Sequence, residues 1–311
     1  MRLLCRFFSR KTLLLGLVAS LSLSSYIAEA KTALLFGATG AVGNSVLRAI
    51  LRNNSFFTKI IIVGRRFPPK VTDLLPASRQ QLPEVVRVEL PDLGNVDQNE
   101  ELLAMGPADA CFIATGSGFP HLYDFRSFHF VEVDMVASMA RLCEKLKVQS
   151  LTSFSSVDPE EHPTPYTREE LESGDDGTPI GWWGLLTTMV NVMGLKEVAL
   201  TENSGSIPFV RIFQPCNIIT EEIRYGWLDW TIFRIHPWID PIIPTKYHSV
   251  DVVLLGMAMV RDAINLISVS FANSDADRNP KRLTYGDFAE ISGKEFMEWK
   301  EQQMTMKEIE L

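Results

Sequence analysis

The sequence predicts an α/β fold with a doubly wound parallel sheet, followed by a small C-terminal helical region that serves as a substrate site or lid. Three observations support this prediction. Strand-like apolar segments alternate with helical ones along most of the chain, as in sheets whose strands are joined by helices. Those strands are apolar almost throughout, which is typical of strands covered on both faces. The first of them ends in a glycine-rich bend that opens a helix.

The elements follow each other in a regular order. The first strand covers Ala33 to Phe36 and the first helix Val42 to Asn54, where apolar residues recur at helical spacing. Further strands are predicted at residues 59–63, 85–89, 109–114, 149–154 and 208–213, and further helices at 95–105, 124–147, 181–202 and 247–267. These elements group into one domain over residues 31–268.

Three segments depart from this alternation. Residues 157–180 are predicted to form a surface insertion, because six prolines and glycines stand there among eight acids. The segment 225–240 carries three tryptophans and Phe233. It is read either as a substrate lid or membrane-surface helix, or as an ordinary helix packed on the sheet. Residues 269–311 are expected to form a polar, acidic tail with a last amphipathic helix.

Composition excludes several classes of protein. The net charge is −8, and it becomes −11 without residues 1–30, which hold four bases and one acid. A body this acidic is a poor nucleic-acid binder. The histidines and cysteines show no metal-binding spacing, so no metal site is expected. The body's three cysteines, Cys111, Cys143 and Cys216, are interpreted as buried thiols.

Residues 1–30 form a predicted leader. Four bases stand among its first eleven residues, seventeen uncharged residues follow, and Ala28-Glu29-Ala30 offers a small-x-small cleavage site. Three readings stay open: a cleaved secretory signal, an uncleaved membrane anchor and an arginine-rich mitochondrial leader. Each places the protein in an organelle or at a membrane, in the secretory pathway or the mitochondrion, and not in the plain cytosol.

The glycine bend is the strongest candidate for a binding site. It reads Gly37-Ala-Thr-Gly-Ala-Val-Gly43, between a buried strand and an amphipathic helix. Such a bend points free backbone N–H groups and the positive end of a helix at an anion, without side chains to block a pyrophosphate. The sequence therefore predicts a dinucleotide held by Gly37, Thr39, Gly40, Ala41, Val42 and Gly43.

Two arginines follow the second strand and bear on the choice of dinucleotide. An acid at this position would bond the ribose 2′-hydroxyl of NAD, whereas an arginine accommodates the 2′-phosphate of NADP. Arg65 and Arg66 stand there with no acid. They favour NADP (NADPH), and the alternative is a pair of solvated arginines.

Small polar residues follow two other strands. Thr115 and Gly116 come after the fourth strand, and Ser155 and Ser156 come after the fifth. Small residues at these strand ends let a ligand lie across them, at the usual binding edge of such sheets.

Together these motifs resemble the atypical short-chain dehydrogenases. The resemblance rests on the glycine bend, Gly64-Arg-Arg66, Asp92-Leu93, the serine pair and Val210-Arg-Ile-Phe-Gln-Pro215, and covers roughly residues 32–265. It is closest to the subgroup of the human Tat-interacting tumour-suppressor oxidoreductase and its fungal mitochondrial relatives. The resemblance implies a Rossmann fold, bound NADP(H), Asp92 and Leu93 near the adenine, and Ser156, with Ser155 beside it, holding a substrate carbonyl.

The resemblance fails at the proton-transfer pair. The family uses a tyrosine as proton donor, and a lysine four residues on lowers its pKa. Here those positions hold Met189 and Met193, and no Tyr-x-x-x-Lys occurs anywhere in the chain. Methionine cannot donate a proton. Lys196 lies on the same helix, where it either reaches the nicotinamide ribose or is an exposed lysine.

Three hypotheses for function follow. The first is an NADP(H)-binding protein with weak or no hydride transfer and a regulatory or assembly role, through a protein partner or membrane association by the N-terminus. The second is an active NADP(H)-dependent oxidoreductase that acts on a small carbonyl or alcohol and uses Ser156, water or Lys196 for proton transfer. The third, a sugar-nucleotide or lipid-modifying relative, has no substrate motif to support it.

Overall fold

The computed structural model describes residues 31–68, 83–117, 125–173, 182–220, 227–269 and 280–309. The predicted leader, residues 1–30, lies outside them. No helix within these ranges is long and apolar enough to cross a membrane.

A seven-stranded sheet forms the centre of the fold. Its order is β3-β2-β1-β4-β5-β6-β9, and all six pairings are parallel. The direction of winding reverses between β1 and β4, and the predicted doubly wound α/β fold is confirmed. The strands are β1 Lys31–Phe36, β2 Phe57–Gly64, β3 Glu84–Glu89, β4 Ala110–Ile113, β5 Ser150–Phe154, β6 Phe209–Phe213, β7 Asn217–Ile219, β8 Ser249–Asp251 and β9 Lys281–Leu283.

Helices cover both faces of this sheet. They are α1 Ala41–Arg52, α2 Glu100–Ala104, α3 Phe125–His129, α4 Met135–Lys145, α5 Arg168–Ser173, α6 Trp182–Glu202, α7 Trp227–Ile239, α8 Val252–Val269 and α9 Tyr285–Ile309. Successive strand residues point to opposite faces. Leu35 packs in the core with α1, α8 and α9, whereas Leu34 packs in the core with α2, α4 and α6.

Three short strands and one helix were not predicted. β9 lies in the segment expected to be a polar tail, yet it pairs with β6 at the edge of the sheet. β7 and β8 pair with each other, so α8 begins at Val252 and not near Tyr247. The predicted surface insertion contains the exposed helix α5. These strands have three residues each, which is too short for a period of two to be read from sequence.

The helix predicted at 124–147 contains a π-helical turn. α3 and α4 are joined through Phe130–Asp134, which has π-helical geometry. Such turns occur frequently at functional sites, because the extra residue changes which side chains face inward. Here the turn carries the buried Glu132.

The interpretation of all three body cysteines as buried thiols is wrong. Cys111 of β4 and Cys143 of α4 are fully buried and pair with each other as a disulfide. Cys216, just after β6, is free and exposed. Sequence spacing could not reveal the pairing, because packing brings β4 against α4.

The aromatic segment forms α7 and a 3-10 turn, Asp240–Ile242. Trp238 and Ile242 are each 83% exposed, so the end of this segment presents apolar side chains to solvent. The side chains of Trp227, Trp230 and Phe233 lie outside the described ones, so the lid, the membrane-surface helix and the ordinary packed helix all stay predictions.

Candidate functional site

A cavity of about 600 Å³ opens at the carboxyl edge of the sheet, over β1 and its neighbours β2 and β4. Pockets of 300–1,000 Å³ are typical of small-molecule and cofactor sites. The lining includes nine predicted site residues: Gly37, Thr39, Gly40, Arg65, Arg66, Asp92, Leu93, Thr115 and Gly116. The cavity therefore lies at the point of reversal, where doubly wound sheets bind their ligands.

The glycine bend forms the floor of the cavity, and its geometry explains two of the glycines. Gly37 has φ +80°, and a Cβ there would overlap the carbonyl of Ala114 in β4's extension. A Cβ on Gly43 would overlap the carbonyl oxygen of Gly37. Gly43 does not line the cavity; its role is to let α1 approach the bend.

The first turn of α1 faces the bend without a capping side chain. Gly40 is the N-cap residue, no side chain bonds to the free N–H groups, and the first turn contains no acid. Ala41 and Val42 follow in this turn; they do not line the cavity, and Val42 is buried in the core. An uncapped helix N-terminus next to a glycine bend is suited to an anion such as a phosphate.

The two arginines lie at the β2 side of the cavity. Arg65 and Arg66 are both exposed and line it together with Asp92. Neither arginine forms an ion pair within the described part of the chain. The Asp92 carboxylate accepts the Gly94 N–H at 2.8 Å, which holds the β3 end of the cavity in a turn. Two cations without a carboxylate partner favour a ligand with a negative charge at this end.

The opposite wall was predicted only in part, because Ser117 belongs to the small residues that follow β4 whereas the helical residues were not predicted to line a site. It is built by the segment after β4 and by α3 with its π turn, through Ser117, Ser127, Phe130, Val131 and Met135. No local signal in the sequence marks the helical residues of this wall, because the π turn at Phe130–Asp134 interrupts the helical period that would place them.

A buried charged cluster lies behind this wall. Lys196 Nζ is 2.8 Å from Glu132 Oε2, and the two side chains are 2% and 3% exposed. The other carboxylate oxygen accepts the Ser117 N–H at 2.7 Å and the Ser117 hydroxyl at 2.8 Å. The alternative of an exposed Lys196 is therefore wrong, and its catalytic role stays a prediction. Glu132 fixes the position of Ser117, and so shapes the cavity wall.

The two methionines do not line the cavity. Met193 and Met189 pack with Phe128 and Val192 in a small apolar cluster between α6 and α3.

Ser155 and Ser156 also lie outside the residues that line the cavity, at the end of β5. Both hydroxyls lack a hydrogen-bond partner within the described residues. The role of Ser156 in holding a substrate group stays a prediction.

A second polar cluster lies beyond the ends of β5 and β6. Asp158 accepts from Lys246 Nζ at 2.8 Å and from the Tyr247 hydroxyl. Hydrogen bonds from Lys246 and then from Tyr247 lower the pKa of Asp158, and the bond to Asp158 raises the pKa of Lys246. A hydroxyl and an ammonium thus lie together here, although no Tyr-x-x-x-Lys exists. The cluster also includes Cys216 and His236.

No protein-family model matches the chain, and no curated protein sequence matches it. Among solved structures, it is similar to an enoyl-(acyl-carrier-protein) reductase from Anaplasma phagocytophilum in complex with NAD, with TM-score 0.53, 14% identity, and coverage of 84% of this chain and 94% of that one. It is also similar to MoeE5 in complex with UDP-glucose and NAD, with TM-score 0.51, 14% identity, and coverage of 84% and 82%. At this identity the likeness concerns the fold, which is of the Rossmann type.

Proposed function

We propose that this chain binds a nicotinamide dinucleotide, NADP(H) in preference to NAD(H), in the cavity at the carboxyl edge of the sheet. The observation that carries the proposal is the glycine bend, where side chains are sterically excluded beneath an uncapped helix N-terminus. The two similar structures contain NAD, and they support the same class of ligand. When bound, the cofactor would supply or accept a hydride; the bend and the first turn of α1 would hold its phosphates.

The fluorescence of NADPH and NADH measures their binding. Substitution of the two arginines tests whether the protein prefers NADPH to NADH. We expect the double variant Arg65→Ala with Arg66→Ala to bind NADPH at least about tenfold more weakly, because each charge-assisted hydrogen bond to a phosphate contributes about 1.5–3 kcal/mol. NADH affinity stays unchanged. Arg168→Ala is the control, since Arg168 is 91% exposed on α5. An equal loss of affinity for NADPH and NADH would contradict a preference for NADPH. An absence of NADPH binding in the unmodified protein would overturn the proposal.

The tyrosine-dependent route of proton transfer is lost in this proposal. Met189 and Met193 occupy the family's tyrosine and lysine positions, and their thioethers pack against Phe128. Losing a general acid typically costs about 10²–10⁴-fold in rate. Without that route the bound dinucleotide does not reduce carbonyl compounds; it serves as a structural or sensing ligand in this respect, and the protein has a regulatory or assembly role. A partner protein, membrane association and the organelle remain predictions from the sequence.

Restoring the pair tests this part of the proposal. If these two positions face the nicotinamide, Met189→Tyr with Met193→Lys gains NADPH-dependent reduction of a small carbonyl compound, because the donor and its pKa-lowering cation return together. A folded double variant without this gain would show that the two methionines, which do not line the cavity, are not the replaced pair. Met189→Phe with Met193→Leu is the matched control, and thermal melting shows whether each variant folds. Robust NADPH-dependent carbonyl reduction by the unmodified protein would contradict the hypothesis that the proton-transfer pair has been lost. It would instead support an active oxidoreductase, the second candidate, which the Lys246–Tyr247 couple on Asp158 favours.

A further inference from the structure

Cys216 lies where β6 leaves the sheet, beside the serine pair at the end of β5. The Val157 N–H donates to the carbonyl of Pro215 at 3.1 Å, so the two strand ends continue side by side beyond the sheet. Cys216 is exposed, and among the described residues it is the free cysteine. Since neighbouring strands are about 4.8 Å apart, β6 lies roughly 10 Å beyond β4, whose end lines the cavity.

His236 of α7 faces this thiol. Its Nε2 lies 3.9 Å from Cys216 Sγ. Its Nδ1 lies 2.9 Å from Ser249 Oγ and 3.3 Å from Asp240 Oδ1. A carboxylate next to Nδ1 stabilises the tautomer that carries the proton there, and leaves the Nε2 lone pair directed to the sulfur. This is the arrangement of a nucleophile, a base and a group that orients the base.

The orienting carboxylate is itself held in place. Both oxygens of Asp240 lie 3.1 Å from the Ser249 N–H, and the Ser249 hydroxyl donates to Asp240 at 3.2 Å. That hydroxyl also accepts from Asn217 Nδ2 at 2.9 Å. The base is therefore positioned by β7, β8 and the turn after α7 together, which limits its movement relative to the sulfur.

The resting state of the cysteine is the thiol. Although the residue is exposed, partial desolvation of the thiol raises the pKa of Cys216, and the carboxylates of Asp240 and Asp158 raise it further. Asp158 stays ionised because Lys246 and Tyr247 lower its pKa. A thiolate then forms only when the proton moves to His236 as the sulfur attacks an electrophile, so the reactivity of Cys216 depends on His236.

We propose that Cys216, His236 and Asp240 form a covalent site for an aldehyde, which is oxidised with the dinucleotide bound in the neighbouring cavity. Because the oxidant is the bound dinucleotide, this inference rests on the cofactor-binding part of the proposed function and not on the regulatory role. The reaction needs a thiol and a base but no tyrosine. It is thus compatible with a chain in which the Tyr-x-x-x-Lys pair is absent.

The steps balance as follows for an aldehyde RCHO. Cys216 Sγ bonds to the carbonyl carbon as the C=O π bond breaks, and the thiol proton passes through His236 Nε2 to the new oxygen. The carbon then loses a hydride to oxidised NADP⁺, and His236 takes the hydroxyl proton as C=O re-forms in a thioester on Cys216. Water cleaves the C–S bond, which releases the acid and returns a proton to the sulfur. The aldehyde loses two electrons, and one NADPH and one net proton are formed.

The first experiment uses the full chain without cofactor. Carbamidomethylation of Cys216 by iodoacetamide is followed by mass spectrometry between pH 6 and 9. We expect His236→Gln to slow it at pH 7 at least about tenfold, since a positioned base typically contributes about 10²–10⁴-fold. The control is His162→Gln, on the exposed loop after β5. Melting curves ensure that each variant is compared below its unfolding transition. Equal rates in the wild type and His236→Gln would overturn the thiol–imidazole pair.

The second experiment uses propanal with NADP⁺, and follows NADPH at 340 nm. We expect turnover in the wild type and none in Cys216→Ser, which still binds NADPH by fluorescence. Propanal oxidation that persists in Cys216→Ser would overturn the proposal, as would its absence in a wild-type protein that binds NADPH. If NADPH does not bind at all, the proposed function fails, and the iodoacetamide rates still decide whether His236 activates Cys216.

Discussion

Replacing Gly43 by alanine is expected to weaken NADPH binding at least about tenfold and to lower the free energy of unfolding by about 1–3 kcal/mol. A Cβ on Gly43 would overlap the carbonyl oxygen of Gly37, so α1 must move away from the bend. The movement displaces the first-turn N–H groups that would hold the phosphates. NADPH fluorescence and urea unfolding measure the two effects.

Gly286→Ala is the matched control for this substitution. Gly286 lies near the start of α9, where an added Cβ meets nothing within 4 Å. Alanine is favoured over glycine in a helix by about 1 kcal/mol, so this variant is expected to be as stable as the wild type or more stable. Unchanged NADPH binding in Gly43→Ala would show that the bend does not hold the nucleotide.

The second large effect is expected at Lys196. Lys196→Met leaves Glu132 buried and without its cation, and breaking a buried ion pair in this way costs about 3–5 kcal/mol. Both side chains are almost fully buried, so solvent does not screen the loss. Because Glu132 also holds Ser117, we expect weaker NADPH binding in the same variant. Urea unfolding gives the stability, and fluorescence gives the affinity.

The double variant Glu132→Gln with Lys196→Met separates charge from packing. It removes both charges and keeps an amide oxygen that can accept the Ser117 N–H, so it should be more stable than Lys196→Met alone. Lys59→Met is the surface comparison, because its pair with Glu84 is 33% and 63% exposed and should contribute no more than about 1 kcal/mol. A loss below about 1 kcal/mol in Lys196→Met would contradict a structural role for the buried pair.

Most of the sheet could be predicted from local patterns. β1, β2 and β4 contain runs of buried apolar residues, and the glycine bend stands between a buried strand and an amphipathic helix. The short strands β7, β8 and β9 could not be predicted, since their hydrogen-bond partners are distant in sequence. Among predicted site residues, Arg65, Asp92 and Thr115 share one cavity because parallel strands end at the same edge.

Local sequence patterns were sufficient to predict the doubly wound fold and the position of the glycine bend, because both depend on residue type and near spacing. The packing of the helices was needed to show that Glu132 and Lys196, which are 64 residues apart, form an ion pair behind the cavity wall. It also decided that Cys216 faces His236 across 20 residues. Such pairs depend on how the helices pack on the sheet and where a π turn shifts the helical register, and no local pattern of residues specifies that.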